Sequence, residues 1–113
     1  MLRVATKFVP NSTSFENAYR AGFRNAEIWL DAAVLASWQT LAPLARHYPM
    51  EYVLHFPTRG EQSPETLQNA VELYRALGCR CMVIHQQHID RHGAELTRLE
   101  PNTYILSLTG TGL

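Results

Sequence analysis

Two stretches end where chemistry could begin. "EYVLHFP" at 51–57 is an apolar run closed by His55, and "CMVIHQQHIDRH" at 81–92 is an apolar run closed by His85 and followed by His88, Asp90 and His92. Neutral imidazole ligates zinc, iron, manganese or nickel. If each run is a strand, Glu51, Val53 and His55 share one face, and so do Cys81, Val83 and His85. In parallel α/β sheets, sites form beyond the carboxyl ends of the strands. Neighbouring strands lie ~4.8 Å apart, so the two imidazoles can converge on one point. The alternative, a hydrogen-bonded structural role for each, stays open. His88, Asp90 and His92 fall in the loop beyond, as further ligands, substrate contacts or solvated residues. His47, at the end of a helix, suits the negative end of its dipole.

Glu27 in "AEIWL" shares strand parity with Trp29. A carboxylate inside a parallel sheet needs a partner, and Lys7 near the end of the first strand is one. A glutamate at a strand edge facing water is the other reading. Glu27 and Lys7 are the catalytic candidates. Trp29, Arg59 and His88 are the candidates for substrate contact. Arg59 and Glu61 lie in the loop after the third strand, where solvated charge is the plainer account.

Other signatures are missing. No glycine-rich phosphate loop, nucleophile elbow or zinc-finger spacing occurs, and the "TGTG" at 109–112 has no helix after it. Cys79 and Cys81 flank Arg80 at the start of a strand. Their spacing points both side chains to one face and would strain a disulfide, so reduced thiols in a cytosolic compartment are expected.

The elements that must position these residues alternate. "LRVATKFV" reads as a strand, then "SFENAYRAGF" as a helix capped by Ser14 and ended near Gly22. "NAEIWL" is the second strand. "AVLASWQTLAPLARHY" is helical, with Pro43 kinking or splitting it. "MEYVLHF" is the third strand. "SPETLQNAVELYRALG" is the clearest helix: Ser63 caps, Pro64 takes the first position, Glu65 favours the positive end of the dipole, and Gly78 closes it. "RCMVIHQ" is the fourth strand. "HIDRHGAELTRL" could hold a short helix weakened by Gly93, and "NTYILSL" a fifth strand. The order predicts an α/β fold of parallel (β/α) repeats with four to five strands.

The chain has 113 residues, 46% of them hydrophobic, and zero formal net charge. That supports one domain over 1–113 with its own core. The balance of charge counts against a nucleic-acid partner bound through phosphate neutralisation. No apolar run approaches a membrane span, and "MLRVATKF" lacks a secretory core, so a cytoplasmic protein with no membrane contact is expected.

In this order the pattern resembles the N-terminal half of xylose isomerase-like TIM barrels. These include sugar and sugar-phosphate isomerases and epimerases, and abasic-site nucleases of the endonuclease IV type. "GFRNAEIWL" at 22–30, "EYVLHFP" at 51–57 and "ETLQNAVELYRALGCRCMVIHQQ" at 65–87 carry the resemblance, which spans residues 1–90. It implies a half TIM barrel, a small polar, sugar-like ligand, and a divalent metal (zinc, manganese, magnesium or cobalt) at His55 and His85. A full barrel needs ~250 residues. The acid that the family places at the end of the fifth strand has no counterpart in "YILSLTGTGL". The resemblance therefore implies a fragment, or a half-barrel that completes itself as a homo-oligomer. Three functions follow as expectations: an isomerase/epimerase-like domain, a non-catalytic binding or assembly module, and a relative of abasic-site nucleases.

Overall fold

A computed structural model describes residues 6–57, 62–79, 81–100 and 104–108, with backbone alone at 87 and 104–108. Five strands, β1 (Thr6–Phe8), β2 (Asn25–Trp29), β3 (Glu51–His55), β4 (Cys81–His85) and β5 (Tyr104–Leu108), form one sheet in the order β1-β2-β3-β4-β5. Every neighbouring pair is parallel. Between them run α1 (Ser12–Arg20), α2 (Ala32–Ala36), α3 (Trp38–His47), α4 (Pro64–Leu77) and α5 (Gln86–Leu99). This is the expected parallel (β/α) arrangement of a partial barrel. Right-handed crossovers in strict sequence order put all helices on one face.

Strand parity fixes which side chains meet those helices. Ala26, Ile28, Tyr52, Leu54, Met82 and Ile84 are buried in one cluster with Phe15 of α1, Leu35 of α2, Leu41 and Ala45 of α3, Leu67, Ala70 and Val71 of α4, and Leu96 of α5. The alternate positions, Glu27, Trp29, Val53, His55, Cys81, Val83 and His85, are left for the other face. A two-residue period therefore assigns the apolar set to the core and the chemistry to the open side.

Tyr52 sits within the core, and its hydroxyl donates to the carbonyls of Ala45 and Tyr48 at 2.9 and 2.6 Å. Burial pushes its phenol pKa well above the ordinary value of 10.0.

Local signals explain the helix ends. Asn11 caps α1 through Oδ1, which accepts from the Ser14 backbone at 2.8 Å. Ser14 is thus the third residue of the helix rather than its cap, because Asn11 precedes it with a better-placed acceptor. Ser63 caps α4 as expected, accepting from the Thr66 N–H. Both α1 and α4 end in paired backbone bonds to a left-handed glycine. Phe23 N–H bonds Ala18 and Gly22 N–H bonds Tyr19, while Cys79 N–H bonds Tyr74 and Gly78 N–H bonds Arg75.

Two elements depart from expectation. The second helical run does split, but at Ser37 and not at Pro43, which lies inside α3. Proline keeps a helical φ and forfeits one backbone bond there. The segment after β4 is a full helix of 14 residues. Gly93 does not break it, and an added Cβ there would meet Ile89 Cγ2 at 3.1 Å.

Candidate functional site

Parity sends Lys7, Glu27, His55 and His85 to the helix-free face, and the register then decides which of them meet. Lys7 lies opposite Glu27, Glu27 opposite Val53, Trp29 opposite His55, and His55 opposite Val83. His85 thus sits two residues beyond His55 along the neighbouring strand, not level with it. Tilted, staggered strands are the rule in barrel-type sheets. The stagger turns Glu27, His55 and His85 into a diagonal that climbs one inward-facing position per strand.

Along that diagonal the groups touch. Glu27 Oε2 lies 3.1 Å from His55 Nδ1, and Lys7 Nζ lies 3.7 Å from the same oxygen. With a cation on that oxygen, the carboxylate accepts and His55 Nδ1 carries the proton. In the neutral ring the lone pair is then on Nε2. Side chains at these three positions are 65% exposed for Lys7, 15% for Glu27 and 5% for His55. Among the described residues, His55 Nε2 is buried and has no hydrogen-bond partner. Native proteins rarely leave such an atom unpaired, so it calls for a partner such as a water or an ion.

Two rings flank His55. The indole of Trp29 stacks on it with centroids 4.8 Å apart, and the His85 ring tilts toward it at 5.4 Å. Partial burial lowers the His85 pKa from 6.5, and the neighbouring His55 and His88 lower it further. Neutral His85 is the form that ligates a metal. Two neighbouring imidazoles are a donor type that divalent cations use, and a carboxylate on the second ring nitrogen, as Glu27 is for His55, is what usually orients such a ligand. Among the described residues no cluster of three or more histidine, cysteine or acidic side chains could hold a metal ion. The pair is a partial donor set.

Comparison with family models, curated proteins and solved structures gave no match.

The remaining candidates divide. Lys7 and Trp29 join Glu27 and His55. His88 is in the first turn of α5 and not in a loop. It is buried, with its ring against Phe56 at 6.1 Å and nearly parallel to His92 at 6.4 Å. The helix begins directly at Gln86, so the chain turns back onto the core before it can form a solvated loop. Arg59 and Glu61 lie outside the described residues.

Sequence reasoning found Glu27 and His55 separately and missed their contact, because parity gives the face but not the register. It also placed both cysteines on one face. Cys79 instead precedes the strand and packs against the helix-side core, whereas Cys81 lies with Glu27 and Val53 on the open side. Alternation applies only within β4, which starts at Cys81. Neither cysteine is in a disulfide. Burial, with Cys81 nearby, pushes the Cys79 thiol up to about 12. Burial and then the Glu27 charge raise Cys81 as well.

A cavity of 480 Å³ opens at the amino ends of the strands, among Asn25, Glu51 and Gly78, with Glu27, Val53 and Cys81 along its wall. It lies at the opposite end from His55 and His85, and Glu27 is common to both regions. No helix among the described residues is long and apolar enough to cross a membrane.

Proposed function

We propose that the chain is a sugar or sugar-phosphate isomerase/epimerase-like domain, with a divalent-metal edge at His55 and His85 that needs further ligands from outside the described residues. The observation that supports this reading is the Glu27–His55 contact, which leaves a buried Nε2 lone pair without a partner. A bound cation would polarise a substrate carbonyl.

The chain's own groups do the rest. Glu27 fixes the His55 tautomer and ring angle. Lys7 holds positive charge beside that carboxylate. Burial and its histidine neighbours favour the neutral form of His85, the form that keeps a lone pair. The exposed indole of Trp29 supplies an apolar wall for a small polar ligand. Glu27 is also the chain's candidate base for exchanging a proton with a carbon beside a carbonyl.

The test is proton exchange in D2O at the carbons next to the carbonyl, for a panel of aldoses, ketoses and their phosphates, with zinc, manganese, magnesium or cobalt added. The wild-type chain is expected to exchange at least one substrate and Glu27→Gln to lose it. Retained metal with no exchange across the panel contradicts the reading.

A second reading has its own support. Trp29 is 46% exposed on the helix-free face. A non-catalytic module that covers this face with a second copy accounts for it. Such a chain would sediment as a metal-free homodimer, and Trp29→Lys would make it a monomer. The nuclease reading finds less support, since neutral charge supplies no basic groove.

A further inference from the structure

We propose that the cavity at the amino ends of the strands is a separate binding site, suited to a small organic cation of the alkylammonium type. It lies at the opposite end of the sheet from His55 and His85 and does not depend on whether those residues take a metal.

Strand register builds the cavity in two layers. Asn25 of β2 is level with Glu51 of β3, and one inward-facing position further on Glu27 is level with Val53. Because Leu54 pairs with Met82, Val53 is level in turn with Cys81 of β4. These five side chains belong to one cavity of 480 Å³, a size typical of small-molecule sites. Met50 and Leu77 add apolar wall beside Val53.

The charge in this cavity has one sign. Two of its lining residues are glutamates, and among the described residues no lysine, arginine or histidine lines it. Lys7 and His55 engage Glu27 through Oε2, and Oε1 takes no hydrogen bond among the described residues. The Glu27 charge reaches Cys81, whose thiol pKa is raised by burial and then by that carboxylate. α4 ends at Leu77, so the negative end of its dipole adds to the same wall. The Asn25 amide makes no side-chain hydrogen bond among the described residues, and its oxygen is one more acceptor. Acceptors of negative sign call for a cation rich in N–H donors, and the apolar wall calls for a hydrocarbon body. An ammonium group on a short alkyl chain supplies both. A metal ion suits the cavity less, since no three histidine, cysteine or acidic side chains among the described residues could hold one.

The test is titration of the full nitrogen-15-labelled chain with n-pentylammonium chloride at fixed ionic strength, beside 1-pentanol and pentanoate as neutral and anionic matches. The backbone amides of Asn25, Glu51 and Cys81 are expected to shift together and saturate with the amine. The alcohol should bind at least about tenfold more weakly, as loss of a charge-assisted hydrogen bond implies, and pentanoate more weakly still. Glu51→Gln should weaken the amine about tenfold, and Val53→Phe should fill the cavity and abolish binding. If Val53→Phe does not fold, Val53→Met is read in its place. An amine that binds no better than the alcohol overturns the proposal, as do shifts that never saturate or an affinity unchanged in both variants. None of these readouts involves metal content or proton exchange, so failure here leaves the proposed function standing, and failure of that function leaves this site standing.

Discussion

Glu27 and His55 stand 28 positions apart in sequence and meet at 3.1 Å across neighbouring strands. They are diagonal rather than direct partners, since Glu27 is level with Val53 and His55 with Trp29. The contact is therefore a product of side-chain reach on a staggered sheet.

The first prediction concerns the tautomer. Nitrogen-15 shifts of the His55 ring are expected to show the proton on Nδ1 and the lone pair on Nε2. Glu27→Gln should blur that preference and weaken divalent-metal affinity about 10–100-fold, as loss of an orienting carboxylate does. An unchanged ring spectrum in Glu27→Gln would deny Glu27 its orienting role.

A second prediction follows from His85. Its folded-state pKa lies below the ordinary 6.5, from partial burial and then from His55 and His88. The unfolded chain therefore binds the proton more readily than the folded one. The stability contributed by neutral His85 is complete above pH 6.5 and is lost as pH falls toward the folded value. Denaturant midpoints measured across this window should fall with pH, and His85→Gln should flatten the slope. An equally steep slope in the variant would assign the effect to other groups.

Thiol chemistry gives a third. The Cys79 thiol, pushed up to about 12 by burial and by Cys81, is almost wholly protonated at neutral pH. Iodoacetamide should leave Cys79 unmodified in the folded chain and react slowly at Cys81. Prompt labelling of Cys79 without loss of structure would contradict its packing against the helix-side core.

The helix ends give a fourth. Gly22 has φ +97 and Gly78 has φ +62, and an added Cβ would meet nothing within 4 Å at either. The cost of alanine is thus conformational and should be about 1 kcal/mol at each site by denaturant titration. Neutral substitutions would mean that the helices end differently.

The residues that announce the fold do so through local rules. Ser63, Pro64 and Gly78 bound α4 in the sequence as they do in the structure, and alternation sorts Tyr52 and Leu54 from Val53 and His55. Such signals need only neighbours within a few positions. What was hidden depends on distance along the chain. The stagger that brings Glu27 to His55, and sets His85 beyond it, lies in the register between strands far apart in sequence. The His88 environment was hidden for another reason: the first turn of α5 looks polar in sequence, and its packing, with Phe56 and His92 beside the ring, is what makes it interior.

The most direct measurement is the metal content of the untagged chain, purified without chelator and reloaded with zinc or manganese, beside the His55→Ala/His85→Ala double variant. The account predicts a near-stoichiometric transition metal in the wild type and none in the variant. No metal in either sample after reloading would contradict it and leave His55 and His85 as structural residues of an incomplete barrel.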